Sequence, residues 1–215
     1  MTLKLHYHPL SSYCHKVLIP LYENDTPFEP VFVDLGDEAS RAAFLKIWPV
    51  GKFPVIEDTT RDRMVPESSI IIEYLAQHYP GKTELVPKDT DLARQVRMRD
   101  RFFDLHIHTH MQKAMADVLR PEDSRDPFGV EQAIAQMRTA LGMLEQEIGS
   151  KEWVMGKAFT MADCSAAPAL FYANRILPLA KEFPNADAYL KRLMERPSYA
   201  RVLKEAEPYF KMIPR

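Results

Sequence analysis

The stretch PVGKFPVIED, residues 49–58, joins a turn to the start of a β-strand. Pro54 opens this strand, because proline has no N–H to donate and is tolerated at the first position of a strand. If the Phe53–Pro54 bond were cis, Phe53 would present its backbone N–H and C=O sideways to a peptide-like ligand. The heptapeptide KFPVIED by itself favours an ordinary trans proline, so both forms stay open at this point.

The residues around this stretch alternate between strand and helix patterns. Residues 3–7 alternate apolar and polar side chains, which is typical of a strand. A helix is expected from Ser11 or Ser12, since serine is a good N-cap. Further segments continue the pattern: a strand at 28–33, a helix at 39–47, a strand near 64–65 and a helix from Ser68 to the stop at Pro80-Gly81. The order β-α-β-α-β-β-α predicts an α/β domain over residues 1–80.

The rest of the chain has the periodicity of helices. After a polar linker at 81–89, one apolar stripe predicts a helix of about 30 residues; its members are Leu92, Val96, Phe103, Ile107, Met111 and Val118. A second stripe runs from Val130 to Ile148 and is ended by Gly149. Shorter helices fit about 160–176, 185–195 and 198–206. We therefore predict an all-helical domain over residues 90–215.

Composition excludes several classes of function. The chain has 215 residues and a formal net charge of −2. This charge does not indicate binding to nucleic acid or to an anionic membrane. No apolar run approaches the roughly 18 residues of a membrane span, and the N-terminus lacks the pattern of a signal peptide. Two cysteines far apart, Cys14 and Cys164, predict no disulfide framework. We expect a cytoplasmic protein.

Two motifs mark the starts of helices. In VPESSII, residues 65–71, Ser68 lies at a helix N-terminus, where free N–H groups and the helix dipole favour an anion. The same serine could serve only as an N-cap. In FTMADC, residues 159–164, Thr160 and Asp163 form a capping box. This second motif is interpreted as structural, so loss of Asp163 should cause a folding defect rather than a chemical one.

The stretch LHIHTH, residues 105–110, suggests a metal site at first sight. On a regular helix, His106 and His110 share a face, while His108 points nearly opposite. Two imidazoles without a third ligand at fitting spacing do not make a zinc site. We therefore predict no metal. His106 and His110 border the apolar stripe and are candidates for lining a cleft, or for lying in solvent or between helices.

Together, PVGKFPVIED, PESSIIIEYLA (66–76) and FTMADCSAAPAL (159–170) resemble the glutathione S-transferase family, in the family's order and spacing. The resemblance covers essentially the whole chain. It implies the glutathione S-transferase fold, in which an α/β thioredoxin-like N-terminal domain precedes an all-α C-terminal domain. One departure is Trp48, where the family usually has Asn before the proline of its NPxGKVP pattern.

The resemblance implies glutathione as a co-substrate and assigns residues to it. Phe53, before a cis Pro54, would pair through its backbone with the cysteinyl part of the tripeptide. Glu67 and Ser68 would hold the γ-glutamyl end. Lys52 would lie near the peptide.

The family lowers the pKa of the glutathione thiol and lets the thiolate attack an electrophile in an adjacent apolar pocket. This requires a hydrogen-bond donor aimed at sulfur, next to a positive helix N-terminus. A neutral hydroxyl is sufficient, because it donates to an anion more strongly than to a thiol. The nucleophile arrives with glutathione, so the chain needs no reactive cysteine of its own.

Four residues of YHPLSSYCHKV, residues 7–17, compete for the role of donor. We expect Ser11, because serine-type members of the family (theta- and zeta-like, here a bacterial member) carry their donor at this loop–helix junction. Tyr7 matches the tyrosine-type members, but it shares the core-facing side of its strand. Ser12 is a further alternative. Cys14 resembles the buried second cysteine of a glutaredoxin-like CPYC and is expected to pack as a small hydrophobe.

The electrophile pocket is expected beside the first long helix. Its candidates are Tyr13, His106, His110, Met111 and Met115. Methionine is adaptable and suits varied apolar electrophiles, although the two methionines could equally fill the core between helices.

The favoured function is transfer of glutathione to small, largely apolar electrophiles, as in detoxification. One alternative keeps glutathione but changes the reaction to isomerisation of the maleylacetoacetate type, dehalogenation or peroxide reduction; the isomerase is weakened because SSYC departs from the zeta-type SSCS. Another is a non-enzymatic regulatory or binding protein on the same fold. The presence of Ser11, Glu67 and Ser68 favours a functional glutathione-binding site. The resemblance also implies a homodimer.

Overall fold

A computed structural model describes residues 2–213, so the outermost residues of the two predicted domains lie outside it. Its N-terminal part contains a four-stranded sheet of β1 (Leu3–Tyr7), β2 (Glu29–Phe32), β3 (Val55–Asp58) and β4 (Arg63–Pro66). The spatial order is β2-β1-β3-β4. Strand β1 runs parallel to β2 and antiparallel to β3, and β3 and β4 form an antiparallel hairpin.

Three helices cover the two faces of this sheet: α1 (Ser12–Glu23), α2 (Glu38–Ile47) and α3 (Ser68–His78). The side chains of β1 alternate, so that Leu3 and Leu5 join the large core with α1 and α3. His6 points to the other face, where its ring lies 6.2 Å from that of Phe44 on α2. The predicted order of strands and helices is confirmed in this part of the chain.

The C-terminal part is helical: α4 (Thr90–Phe102), α5 (Thr109–Val118), α6 (Pro127–Ile148), α7 (Met161–Ile176), α8 (Leu179–Glu182), α9 (Pro184–Glu195) and α10 (Pro197–Ala206). A 3-10 segment, Glu207–Met212, follows α10. The predicted helix of about 30 residues is divided. A π-helical turn, Phe103–His108, joins α4 to α5, and both ends of the predicted stripe, Leu92 and Val118, are exposed.

One continuous apolar core joins the sheet to the helical part. Helix α7 lies at its centre, with Cys164, Ala166 and Leu170 fully buried, and it packs against α1, α4 and the π turn. Helix α1 also packs against α10. The expected fold, an α/β unit followed by an all-helical unit, is confirmed.

Both cysteines are free and buried. Within residues 2–213, no helix is both long enough and apolar enough to cross a bilayer.

Candidate functional site

A cavity of about 990 Å³ opens between the sheet and the helical part. It is bounded by the N-termini of α1 and α3, the loop before β3, helices α4 and α5 with the π turn between them, Met161 and Tyr172 of α7, and the C-terminal segment. Nine of the predicted site residues lie on its wall: Ser11, Tyr13, Lys52, Phe53, Pro54, Glu67, Ser68, Met111 and Met115. The fold thus brings together residues from four separate stretches of the sequence.

Ser11 is the N-cap of α1. Its φ of −73° and ψ of 119° are extended, and its Oγ accepts a hydrogen bond from the Cys14 N–H at 3.3 Å. Because that bond uses the oxygen as an acceptor, the hydroxyl proton stays available for another group. Ser11 therefore combines a free donor with the positive end of a 12-residue helix.

The competing residues have other surroundings. The Oγ of Ser12 lies 2.5 Å from Nε2 of His108, and both side chains are buried. Cys14 is fully buried, and this burial raises the pKa of its thiol to about 12, although the nearby Ser11 side chain and His8 backbone act in the opposite direction. Tyr7 is half-buried and is absent from the described wall of the cavity. Ser11 and Ser12 are thus the two of the four that line the described cavity, and Ser12 is the one that is bonded to a buried histidine.

The loop before β3 presents a peptide edge to the cavity. The Phe53–Pro54 bond is cis, as the resemblance implies and contrary to what the heptapeptide alone favours. Phe53 is half-buried, Pro54 is buried and Lys52 is exposed. Among residues 2–213, the N–H and C=O of Phe53 enter none of the backbone hydrogen bonds formed outside helices and strands. These groups are suited to bind a ligand with a backbone of its own.

Helix α3 begins at the same cavity. Its N-cap, Glu67, has a φ of 68°, a conformation that is rare for any residue except glycine and typically costs about 1–3 kcal/mol. Glu67 is exposed and makes no side-chain cap, so its carboxylate is free to face a ligand. Ser68 is buried at the first helical position and lines the cavity. Two helix N-termini, of α1 and α3, therefore meet one cavity, an arrangement suited to a ligand with two anionic groups.

A buried ionic cluster contributes Ser69, Asp100 and Asp104 to this wall, and it was not predicted from the sequence. The Nζ of Lys16 is 2.7 Å from a carboxylate oxygen of Asp100 and 2.7 Å from one of Asp104. It also donates to Ser69 Oγ at 2.9 Å, and Ser165 donates to Asp100 at 2.8 Å. The cluster joins α1, α3, α4, the π turn and α7, and so fixes the distance between the two helix N-termini.

Burial raises the pKa of Asp104, and the neighbouring Asp100 raises it further, while Lys16 acts in the opposite direction. The single ammonium group of Lys16 is therefore the ion-pair partner of both carboxylates, Asp100 and Asp104. Lys16 is 1% exposed, although the local sequence CHKV would suit a solvated lysine on a helix surface. Its partners are 84 and 88 positions away along the chain (100 − 16 and 104 − 16), so no short sequence pattern predicts the cluster.

The far side of the cavity is mostly apolar. Met111, Met115 and Leu119 come from α5 and its end, and Met212 and Ile213 come from the C-terminal segment. His106 and His110, which were predicted for this pocket, are not among the described residues that line it. His106 is exposed, and its ring lies 5.7 Å from that of Phe102.

His108 is the histidine of this stretch that the fold buries. Its ring lies 4.1 Å from that of Tyr13, and burial lowers its pKa to about 3, with Lys16 acting in the same direction. Burial also raises the pKa of Tyr13 well above its usual value. Within residues 2–213, no group of three or more His, Cys, Asp or Glu side chains is arranged to hold a metal ion.

Neither residue of the capping box, Thr160 or Asp163, is among the described residues that line the cavity. Asp163 is fully buried and accepts hydrogen bonds from the Thr160 N–H at 2.8 Å, the Val154 N–H at 2.9 Å and the Tyr189 hydroxyl at 2.6 Å. The predicted capping box at Thr160 and Asp163 is present. It begins α7, the helix that packs behind α1.

Comparison with known proteins places these features in one family. Residues 5–83 match the family model described as glutathione S-transferase, N-terminal domain, and residues 127–192 match glutathione S-transferase, C-terminal domain. A glutathione S-transferase of Pseudomonas putida is 29% identical over 211 residues, which cover 95% of this chain and 93% of that protein. A glutathione S-transferase-like protein of a Fusarium species is 30% identical, over 79% of this chain and 76% of its own length.

Solved structures agree in fold. A glutathione S-transferase from Methylobacillus flagellatus, crystallised with glutathione bound, is 25% identical and has a TM-score of 0.85, over 93% of this chain and 98% of its own. A glutathione transferase from Phanerochaete chrysosporium, in complex with oxidized glutathione, is 26% identical with a TM-score of 0.85, over 96% and 97%. With both family models matched and a cavity built from the motifs that suggested the family, the chain belongs to the glutathione S-transferase family.

Proposed function

We propose that this chain is a glutathione transferase, which binds glutathione in the cavity, activates its thiol through Ser11 and transfers it to small, largely apolar electrophiles. One observation carries the proposal. Ser11 has a hydroxyl proton free to donate, at the N-terminus of α1, on the same cavity wall as Phe53, Glu67 and Ser68. The chain is, on this proposal, a serine-type member of the theta- and zeta-like kind.

Glutathione is held through its backbone and its charged ends. The N–H and C=O of Phe53, ahead of the cis bond to Pro54, pair with the cysteinyl residue of the tripeptide. The γ-glutamyl carboxylate binds at the N-terminus of α3, where the Ser68 hydroxyl and free backbone N–H groups meet it. The ammonium group of the same end is matched by the Glu67 carboxylate. Lys52 lies near the remainder of the peptide.

Activation then follows from the position of the sulfur. When the Phe53 backbone fixes the cysteinyl residue, the thiol lies at the N-terminus of α1, where the helix dipole and the Ser11 hydroxyl both stabilise the thiolate more than the thiol. Each unit of pKa depression corresponds to about 1.4 kcal/mol of this preference. The thiolate attacks the electrophile, its sulfur forms the new bond, and the leaving group or the protonated product departs.

The apolar far wall favours neutral electrophiles over charged ones. Met111, Met115, Leu119 and Ile213 offer flexible or branched hydrocarbon to such a substrate. Arg97 and Arg101 of α4 line another part of the same cavity, so isomerisation of a diacid stays the alternative to conjugation.

We propose further that the protein works as a cytoplasmic homodimer without nucleic-acid or membrane partners. Exposed apolar side chains on neighbouring elements would suit a subunit interface: Ile70 on α3, Met98 on α4 and Leu105 on the π turn are each more than two-fifths exposed. The domain bounds of 1–80 and 90–215, with a linker at 81–89, also stay proposals. Light scattering on the purified protein measures the number of subunits.

The function is tested by retention on immobilised glutathione, followed by turnover of a generic chloronitroaromatic. Wild type should be retained and active. Ser68→Ala should lose most of its retention, because the γ-glutamyl carboxylate loses a hydroxyl donor, whereas Ser150→Ala at an exposed turn should behave as wild type. Wild type that does not bind glutathione would favour a non-enzymatic scaffold. Binding without turnover would favour a specialised reaction, such as isomerisation, dehalogenation or peroxide reduction.

A further inference from the structure

The loop that carries Ser11 is held by side chains from three other elements. The carbonyl of Pro9 is bonded by His15, that of Leu10 is bonded by Tyr172, and Ser12 is bonded by His108. Residues on both sides of Ser11 are therefore fixed, while the Ser11 hydroxyl itself is left free to donate. Such fixed neighbours are expected if activation of the thiol depends on the direction of the Ser11 hydroxyl.

His15 forms the first of these bonds from inside α1. It is fully buried, and its Nε2 lies 2.6 Å from the Pro9 oxygen. A carbonyl oxygen can only accept, so Nε2 carries the proton. Burial lowers the pKa of His15 to about 4, although its bond to Pro9 acts in the opposite direction. The ring is neutral at physiological pH and keeps this bond.

Tyr172 forms the second bond from α7, in the helical part of the molecule. Its hydroxyl donates to the Leu10 oxygen at 2.7 Å, and its side chain is 4% exposed. Its ring lies 5.8 Å from that of His15, so the two bonds act on neighbouring carbonyls from one aromatic cluster. Leu10 directly precedes Ser11, and the position of its carbonyl therefore sets where the N-cap residue begins.

We propose that Tyr172 is a positioning residue for Ser11, holding the Leu10 carbonyl so that the Ser11 hydroxyl points at the glutathione sulfur. The inference rests on the proposed function. It gives the helical domain a part in thiol activation, which the resemblance assigns to the first domain alone. A hydroxyl–thiolate bond is sensitive to small displacements, because hydrogen bonds weaken steeply with poor geometry. Loss of the Tyr172 hydroxyl should therefore displace the Ser11 hydroxyl and weaken its hydrogen bond to the glutathione sulfur.

The test is Tyr172→Phe, which removes the hydroxyl and keeps the ring. The matched control is Tyr199→Phe: Tyr199 is 1% exposed, its ring lies 6.1 Å from His15, and its hydroxyl has no hydrogen-bond partner among residues 2–213. The thiol of bound glutathione is titrated by its ultraviolet absorbance, without any electrophile. Affinity for S-methylglutathione, which has no free thiol, reports whether the peptide pockets are intact.

Tyr172→Phe should raise the pKa of the bound thiol by about half a unit to one unit, which means an about three- to tenfold smaller thiolate fraction below the wild-type pKa. S-methylglutathione affinity should stay within about twofold of wild type, and Tyr199→Phe should match wild type in both measurements. If Tyr172→Phe leaves the thiol pKa unchanged while Ser11→Ala raises it, the positioning role is wrong and the proposed function stands.

The double variant Ser11→Ala/Tyr172→Phe completes the test. If Tyr172 acts only through Ser11, the double variant should have the thiol pKa of Ser11→Ala alone, because the second change has nothing left to misplace. Additive effects would mean that Tyr172 acts on the sulfur by another route, which overturns the inference. If Ser11→Ala itself leaves the thiol pKa unchanged, the donor assignment fails and the positioning role fails with it.

Discussion

Ser11 and Cys14 are one helical turn apart and have opposite environments. Ser11 caps α1 at the cavity wall, whereas Cys14 is fully buried with a thiol pKa of about 12. The sequence predicts this contrast, since serine is a favoured N-cap and the residue three positions on turns toward the core. The reactivity of a cysteine depends on its exposure and on its thiolate fraction. Cys14 is therefore inert here, although a free cysteine is more reactive than a serine such as Ser11.

Cys14 should therefore resist alkylation in the native protein. We expect iodoacetamide at neutral pH to leave both cysteines unmodified, and to modify both once guanidinium has unfolded the chain, because Cys164 is equally buried. Mass spectrometry of tryptic peptides measures this directly. Rapid native labelling at Cys14 alone would mean that its thiol reaches the cavity, and it would reopen the choice of residue for the chemistry.

At the scale of elements, local patterns predict most boundaries but not the π turn. Helix starts at Ser12 and Met161 follow from capping residues, whose signal lies within a few positions, whereas α3 begins at Ser68 without a side-chain cap. The division of the long helix at Phe103–His108 could not be predicted, because residues are assigned to the faces of a regular helix at 100° each and a π turn departs from that spacing. His108 is consequently the buried partner of Ser12, and His106 and His110 do not line the described cavity.

The capping box of α7 gives a prediction about stability. Asp163→Ala should lower the free energy of unfolding by about 3 kcal/mol or more, because it leaves two backbone N–H groups and the Tyr189 hydroxyl without their acceptor inside the core. Asp89→Ala removes an exposed N-cap, which bonds only the Leu92 N–H, and should cost about 1 kcal/mol. Urea unfolding compares the two variants. Equal losses would contradict a structural role for the buried box.

At the scale of the whole molecule, long-range ionic contacts join the two parts. Glu23 ends α1 and accepts two hydrogen bonds from Arg196, at 2.6 and 2.9 Å, and one from Thr83 at 3.0 Å. Lys16, from within α1, forms ion pairs with Asp100 and Asp104, toward which its ammonium donates. Neither set could be predicted from the sequence, because periodicity gives the face of a helix and not its distant partner. The apolar core and order of elements, by contrast, follow from local pattern.

The Glu23 contact predicts a dependence of stability on pH. Burial alone would raise the pKa of Glu23, but the hydrogen bonds and charge of Arg196 and the hydrogen bond from Thr83 hold it below its usual value of 4.5. The unfolded chain therefore binds this proton more readily than the folded one. The contribution is full above pH 4.5 and is lost as the pH falls through the lower folded pKa.

Glu23→Gln should accordingly lower the free energy of unfolding by about 1–3 kcal/mol at pH 7. The difference from wild type should shrink as the pH falls below 4.5, because wild type then loses the same charge. Urea unfolding over a series of pH values measures this, with Glu152→Gln, an exposed glutamate, as the control. A difference that is constant with pH would contradict the role of the carboxylate charge.

The central claim is that Ser11 activates the thiol of bound glutathione, and its most direct test is the ultraviolet titration of that thiol in single variants. Wild type should hold the thiol pKa below that of free glutathione, and Ser11→Ala should return it toward the free value. Tyr7→Phe and Cys14→Ala should keep the wild-type value, with S-methylglutathione affinity as the check on folding. A bound thiol pKa that is the same in Ser11→Ala as in wild type would contradict the account.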